Sequence, residues 1–357
     1  MKRICLAGGG TGGHVTPLLA IAEEWIAQGG EALYVGAAGN LEETMVPAAG
    51  FDLEVISGGG RLKGMDTLTR LRSLSTVPGG VREAAKILSR FHPDVVIGAG
   101  GFASFATGAA ASLKRIPLVL CEQNSIPGLT NRVLSRTACR VCTSFKMTAS
   151  HLNVLKVVLT GNPVRAALRA LADRPAKKPD LRKLTILGGS QGARFLNTDL
   201  AASLAAFLGD HPDVRVTHQC GLGREEETLA SYGGNPQVEV VPFVEDMASL
   251  LAASDLVICR AGATTIAELT TVGLGAILVP FPFAADNHQE HNARAMERIG
   301  GAEVIIQAEF DSDQFVRRLT ALHADPAELG RLAAASRSMG RPDAASSVLE
   351  VCREVVR

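Results

Sequence analysis

Short apolar runs alternate along this chain with longer stretches in which apolar residues recur every three or four positions. Residues 3–7, 32–35, 53–56, 95–97 and 118–121 read as strands. Helical periodicity fills the intervals from Thr16, from Leu41, over a long region after Ile56, and from Ser104. Such alternation predicts a parallel sheet with right-handed crossovers. Residues 161–183 break the pattern: Pro163, Pro175 and Pro179 stand among Asp173, Arg174, Lys177, Lys178 and Asp180 with little apolar periodicity, which marks a linker. The scheme then repeats, with strands at 184–187, 214–218, 238–241, 256–259 and 276–279, and helices from Arg194, after Glu245, from Thr264 and from Asn287. Three helical segments close the chain. The last, after Pro342, has no strand to follow it and is free to return to the first half. The reading is α/β: two Rossmann-like, doubly wound domains over 1–162 and 163–340, with 341–357 packing back on the first. Two such domains facing one another bind ligands at the carboxyl ends of their strands, so the expected site is the cleft between them.

The turns after two of these strands change the picture from architecture to chemistry. Gly8-Gly9-Gly10-Thr11-Gly12-Gly13 follows the first strand, and Gly188-Gly189-Ser190-Gln191-Gly192-Ala193 follows the first strand of the second half. Glycine lets backbone approach a ligand closely, and the N–H groups of a helix start point at negative charge, so phosphate is the natural guest. Gly8, Gly10 and Gly13 satisfy the dinucleotide pattern, but that pattern also needs an acid about 20 residues on, at the end of the next strand. Val35 is followed there by Gly36-Ala37-Ala38-Gly39, which argues against a nicotinamide cofactor. A third turn, Gly98-Ala99-Gly100-Gly101, precedes the helix from Ser104. Close helix–strand packing would explain any one of these turns; two in one domain favour an extended anion such as a diphosphate.

Size and charge bound the remaining options. At 357 residues the chain exceeds one ordinary core, and 46% hydrophobic with 20% charged residues is globular. The 36 basic and 36 acidic residues cancel, so no global field draws the chain to nucleic acid or to an anionic membrane. No stretch reaches the ~18 apolar residues of a membrane span, and the expected location is the cytoplasm. Seven cysteines, an odd number set in apolar segments, read as reduced buried thiols. Cys139 and Cys142 form one CxxC, but it lacks two further ligands for zinc and lies in a strand-like run rather than at a helix start.

Five segments together carry a resemblance: Gly9-Gly10-Thr11-Gly12-Gly13-His14-Val15, Glu122-Gln123-Asn124, Gly161-Asn162-Pro163-Val164-Arg165, Gly188-Gly189-Ser190-Gln191-Gly192-Ala193, and Arg260-Ala261-Gly262-Ala263-Thr264-Thr265-Ile266-Ala267-Glu268. In this order they resemble the MurG family of peptidoglycan N-acetylglucosaminyltransferases from residue 9 to about residue 292. The resemblance implies a GT-B fold, UDP-N-acetylglucosamine as donor, and undecaprenyl-diphosphate-linked N-acetylmuramyl pentapeptide (lipid I) as acceptor. It implies no cofactor and leaves room for partners in the cell-wall machinery. It also implies roles for single residues. Ser190, Gln191 and Gly192 would meet the donor diphosphate and stabilise charge growing on departing UDP. Arg165 would add a charge-assisted contact, its alternative being a linker salt bridge. Glu268 would accept both ribose hydroxyls from the helix that Ala263, Thr264 and Thr265 begin, its alternative being a solvated helix-surface acid. Val244 would offer backbone to uracil, and Gln289 and Asn124 amides to sugar hydroxyls. Thr11, Gly12 and Gly13 belong to the acceptor cradle. His288 and Phe102 depart from the family pattern, where a second Gln and a Tyr are common.

His14 sits at a predicted helix start, where the positive dipole end favours the neutral imidazole that a general base requires; it equally suits a simple diphosphate binder. Glu122 and Asp286 are the competing carboxylates. Asp311-Ser312-Asp313 imitates a metal-binding DxD signature, but Asp and Ser are favoured helix caps and begin a helical segment here, so no metal ligands are expected. The implied chemistry is a single displacement with inversion, giving a β-linked product. Leu68, Leu71 and Leu74 beside Arg61, Lys63, Arg70, Arg72, Arg82 and Lys86 form a basic-apolar face. That face suits peripheral binding to the cytoplasmic face of an anionic inner membrane, or a helix packed on the sheet with its charges outward.

Overall fold

A computed structural model describes residues 1–58, 76–175, 179–189 and 191–356. The chain forms two compact units, Met1–Ala166 with Arg341–Arg357, and Ala167–Gly340. The division falls at Ala166, four residues beyond the boundary expected from the sequence. Asn162, Pro163 and Val164 are buried, and the Ala166 N–H donates to Glu23 at 3.4 Å, which ties this stretch to the first unit.

In the first unit, β1 (Arg3–Ala7), β2 (Glu31–Ala37), β3 (Leu53–Ile56), β4 (Val95–Gly98), β5 (Leu118–Glu122), β6 (Arg140–Thr143) and β7 (Val157–Leu159) pair in parallel. Their order is β3-β2-β1-β4-β5-β6-β7. Strand alternation sorts the apolar residues onto two faces. Ile4, Leu6, Tyr34, Val95, Ile97 and Val119 meet the helix Gly12–Ala27 on one side. Cys5, Ala7, Val35, Val96, Leu118 and Leu120 meet the helices Val77–Phe91 and Gly101–Leu113 on the other. The closing helix Ala344–Val356 belongs to the first face: Ala345, Val348, Leu349 and Cys352 join its core. The guanidinium of Arg353 lies 5.5 Å from the Trp25 ring centre, and Ser346 donates to Glu24 at 3.2 Å.

In the second unit, β8 (Lys183–Leu187), β9 (Arg215–Gln219), β10 (Val238–Val241), β11 (Leu256–Cys259), β12 (Ala276–Leu278) and β13 (Ala302–Val304) pair in parallel in the order β10-β9-β8-β11-β12-β13. Leu184, Ile186, Val216, Leu256, Ile258 and Ile277 form the floor of its core, under Leu204 and Phe207 from one helix and Phe315, Leu319 and Leu322 from another. The strands β7 and β13 escaped the sequence reading. Each has three residues and lies, only partly buried, at a sheet edge.

Each sheet reverses direction once, between β1 and β4 and between β8 and β11. At such a switch point the loops leaving the two central strands diverge and open a crevice at the carboxyl ends. The three glycine turns read from the sequence are loops of this kind, as is the Arg260–Gly262 connection after β11. Two helices begin earlier than the periodicity suggested, at Gly12 and Gly101, so the glycine turns run straight into helix N-termini. Glycine's poor helix propensity hides such starts.

Residues 59–75, which carry Arg61, Lys63, Leu68, Arg70, Leu71, Arg72 and Leu74, lie outside the described residues, as does Ser190. The described part of that basic stretch is the helix Val77–Phe91. It buries Ala84, Ile87 and Leu88 against the sheet side and exposes Arg82 and Lys86. Among the described residues, no helix is long and apolar enough to cross a membrane.

Candidate active site

In the first unit the turn after β1 is braced from the side. Glu42, fully buried at the start of the helix Glu42–Ala48, accepts from the Gly10 N–H and the Ala37 N–H, each at 3.0 Å. A Cβ on Gly9 would lie 2.0 Å from its carboxylate, so glycine is required there for space. Tyr34 adds a hydroxyl that donates to the Gly8 carbonyl at 3.1 Å, and burial beside Glu42 pushes its phenol well above the usual range. Glu42 was not singled out in the sequence. Among Leu41-Glu42-Glu43-Thr44 it is indistinguishable from an ordinary acid in a helix first turn.

The turn after β4 closes on this loop. A Cβ on Gly101 would stand 2.7 Å from the Gly9 carbonyl, and one on Gly100 would stand 3.0 Å from His14 Nε2. Both glycines also have positive φ, +83° and +102°. His14, half-buried in the first turn of Gly12–Ala27, places Nδ1 2.8 Å from the Gly9 carbonyl. A carbonyl only accepts, so Nδ1 carries a proton, and Nε2 lies beside Gly100. Thr11 caps the helix with no side-chain hydrogen bond, which leaves the first-turn amides of Gly12 and Gly13 without a capping oxygen.

Glu122, at the end of β5 and named above as a competing carboxylate, braces the backbone around it. It is buried and accepts from Asn124 N at 2.9 Å, Gly128 N at 3.0 Å and Asn131 Nδ2 at 2.8 Å. It thereby fixes the backbone of Asn124, whose carbonyl also accepts from Thr148 Oγ1 at 3.1 Å.

The second unit repeats the construction with an amide. Gln219, the last residue of β9, accepts from the Gly189 N–H at 2.9 Å and donates to the Gly189 carbonyl at 3.0 Å and the Pro242 carbonyl at 3.1 Å. The Gly192 N–H donates to the Gly189 carbonyl at 2.8 Å, and a Cβ on Gly192 would lie 2.3 Å from the Cys220 carbonyl. The Gly192 amide thus closes the turn, and helical backbone begins at Arg194. Ala193 and the π-helical turn Leu196–Leu200 follow, and Asn197 in that turn donates to the Cys220 carbonyl at 2.9 Å. Asn197 Oδ1 then faces His218 Nε2 at 3.1 Å, and His218 Nδ1 faces the Tyr232 hydroxyl at 2.8 Å. These partners assign Nε2 as donor and Nδ1 as acceptor of a neutral ring. Burial pushes the His218 imidazolium down to about 3.

The loop after β11 leads into the helix Ala263–Val272, capped by Gly262 with no side-chain hydrogen bond. Thr264 and Thr265 lie in its first turn, and the Thr264 hydroxyl is buried with no protein partner among the described residues. An orphaned buried hydroxyl at an uncapped helix start fits a bound anion. Glu268, one turn on, is buried rather than solvated, and its charge helps push the buried Cys259 thiol up to about 12. Arg260 donates to the carbonyls of Val279 and Pro280 at 3.2 and 3.1 Å and to Gln307 Oε1 at 3.0 Å, with its guanidinium 5.6 Å from the Phe281 ring centre. Gln289 accepts from the Phe281 N–H at 3.0 Å, so its carbonyl braces this same loop and its NH2 can serve a sugar hydroxyl. His288 is held by the Ala285 carbonyl at 2.7 Å. Val244 is half-buried beside Phe243, which is 61% exposed.

Residues 4–143 match the glycosyltransferase family 28 N-terminal domain and residues 183–348 its C-terminal domain. An Anaeromyxobacter protein named UDP-N-acetylglucosamine–N-acetylmuramyl-(pentapeptide) pyrophosphoryl-undecaprenol N-acetylglucosamine transferase is 41% identical, covering 99% of this chain and 94% of the relative. A Shewanella oneidensis protein of the same name is 39% identical over 98% and 97%. The crystal structure of Acinetobacter baumannii MurG superimposes with a TM-score of 0.79 at 28% identity, covering 99% of this chain and all of that one. The chain belongs to glycosyltransferase family 28, in its MurG branch. A UDP-GlcNAc 2-epimerase from Neisseria meningitidis, at 13% identity and TM-score 0.72, shares the fold alone. The fold is GT-B, and the chain is a glycosyltransferase.

For a member of this family, the structure gathers Thr11, Gly12, Gly13 and His14 at one switch point, with Asn124 on the loop after β5. It gathers Gln191 and Gly192 with Ala263, Thr264, Thr265 and Glu268 at the other. Arg165 belongs to the first unit. It is exposed and makes no ion pair among the described residues. Phe102, at the family's Tyr position, packs in the first unit's core, where a Cβ on Gly80 would stand 3.0 Å from its ring. In the expected DxD triplet, Asp311 accepts from the Gln314 N–H at 2.7 Å as a helix cap. All seven cysteines are free thiols, but Cys139 is half-exposed rather than buried.

The His218 network yields a prediction for stability. Its folded value lies below the ordinary 6.5, so beneath that pH the unfolded chain binds a proton that the folded chain refuses until about 3. Stability is therefore complete above 6.5 and falls through this window by up to about 1.4 kcal/mol per pH unit. Denaturant unfolding between pH 7 and 4 should show a His218→Gln variant starting less stable than the parent, with the gap narrowing as pH falls. A gap independent of pH would contradict a neutral buried His218.

Proposed function

We propose that this chain transfers N-acetylglucosamine from UDP-GlcNAc to the 4-hydroxyl of the N-acetylmuramyl group of lipid I, giving a β-1,4-linked disaccharide. Near-complete coverage of transferases named for this reaction carries the reading. In the donor half, Ser190, Gln191 and Gly192 with the start of Ala263–Val272 receive the diphosphate. Glu268 accepts the ribose hydroxyls, Val244 presents backbone to uracil, and Gln289 donates to the sugar. The unpartnered Thr264 hydroxyl and the uncapped helix start support this assignment. In the acceptor half, the amides of Thr11, Gly12 and Gly13 receive the lipid diphosphate and Asn124 offers its amide to a sugar hydroxyl, while Arg165 adds a charge-assisted contact to the donor.

The acceptor oxygen attacks the anomeric carbon as the bond from that carbon to the UDP oxygen breaks. The hydroxyl proton passes to His14 Nε2, and UDP leaves with the electron pair. The hydrogen bond from Nδ1 to Gly9 supports this role, because it holds the ring in the tautomer whose Nε2 accepts a proton. The polyprenyl tail of the acceptor places the reaction at a membrane surface. Residues 61–90, with Arg82 and Lys86 exposed, supply the positive charge for an anionic leaflet.

Three measurements test the reading. Incubation with labelled UDP-GlcNAc and a short-chain lipid I analogue should release UDP only when acceptor is present and yield a β-linked product; release without acceptor, a 2-epimer or an α-linked product would overturn it. His14→Ala should lower kcat at least about 100-fold with KM nearly unchanged. A raised KM with kcat intact would make His14 a binder instead. Arg70→Glu with Arg72→Glu should lose flotation with vesicles rich in anionic lipid, and unaltered flotation would refute membrane docking through this stretch.

A further inference from the structure

On the second unit, the end of the sheet opposite the glycine loop carries a group that the transfer chemistry does not use. The helix Ala201–Asp210 ends at His211, Asp213 lies just before β9, and His323 lies in the last turn of the helix Ser312–Ala324. Three separate elements thus deliver two imidazoles and a carboxylate to one place. One ligand atom from each lies within 4.8 Å of the other two, and no other such group occurs among the described residues. His323 Nε2 stands 3.1 Å from Asp213 Oδ2, His211 Nε2 stands 3.4 Å from Thr320 Oγ1, and the two imidazole centres are 4.4 Å apart. Phe207 packs 4.3 Å from the His211 ring and walls one side. All three ligand residues are partly buried, neither deep in the core nor loose in solvent.

We propose that His211, Asp213 and His323 form a binding site for a divalent transition-metal ion, zinc being the fitting representative, which staples the helix Ser312–Ala324 to the strand entry of the second unit. Two imidazoles and one carboxylate are a borderline donor set that suits zinc, nickel or copper and does not suit magnesium or calcium. Bonds of about 2.1 Å in tetrahedral geometry need ligand atoms about 3.4 Å apart, which modest side-chain rotation achieves from the spacing present. The charges allow a cation: Asp180, Asp210 and Asp213 stand against Arg182, which pairs with Asp180 and Asp213, and Arg215, whose guanidinium is engaged by the Pro212 and Val214 carbonyls. Arg182 competes with the ion for Asp213, so the site is tuned rather than saturated by its own cation.

The test is calorimetric titration of chelator-stripped full-length chain with zinc chloride, with thermal unfolding followed in parallel. One saturable site and a zinc-dependent rise in the unfolding midpoint are expected. His211→Gln and His323→Gln should each weaken binding by about tenfold or more and remove the midpoint rise, whereas Arg182→Gln should tighten binding. Circular dichroism of each variant checks that the fold is retained. Cobalt(II) supplies a second readout, its visible absorption appearing with the parent chain and vanishing in the double histidine variant. No saturable zinc binding, or binding unaltered in that double variant, would overturn the proposal; neither outcome touches sugar transfer.

Discussion

The structure depends on holding glycine-rich backbone open at the point where each parallel sheet reverses direction. A loop without side chains cannot hold itself in place, because glycine has the most conformational freedom to lose. Both units solve this from the side. In the first, the buried carboxylate of Glu42 takes the N–H groups of Gly10 and Ala37. In the second, the amide of Gln219 takes the N–H and gives to the carbonyl of Gly189. Each brace comes from the connection or strand next to the loop's own strand, so the sheet itself sets the height of the loop.

The two braces differ in chemistry. The Glu42 carboxylate holds the turn that also carries His14, whose ring hangs from Gly9 within the same braced segment. An amide is neutral and leaves the field of the loop after β8 to its own dipoles and those of the helix Ala263–Val272, suited to anion binding. Behind that loop the neutral chain Asn197–His218–Tyr232 fixes the Cys220 carbonyl against which Gly192 packs. A buried network of this kind is rigid only when every member is satisfied, and here each has its partner. Preorganised amides lower the reorganisation needed when charge develops on a leaving diphosphate.

Much of this was legible in the sequence. Strand–helix alternation predicted both sheets, because buried parallel strands must be nearly continuous apolar runs. The cradle residues Thr11 to His14 and the pair Ala263–Glu268 were legible as short motifs. The edge strands β7 and β13, three residues each, were not. The supports were not legible either. Glu42 resembles any first-turn acid, Gln219 any polar strand end, and nothing near Glu122 in the chain announces its three donors. Sequence spacing shows which residues share an element, whereas a buried carboxylate's role depends on which donors from other elements surround it.

By itself, then, the sequence determined the α/β class, the repeated scheme and the family, because these rest on local periodicity and on backbone needs that only glycine meets. Tertiary structure decided the division at Ala166, the return of Ala344–Val356 to the first unit, and which polar groups are engaged as supports. It alone assembled His211, Asp213 and His323, which lie up to 112 residues apart in the chain. The physical reason is common to all three. They depend on contacts across long sequence separations, where hydrogen-bond partners and packing neighbours are chosen by the folded sheet rather than by adjacent residues.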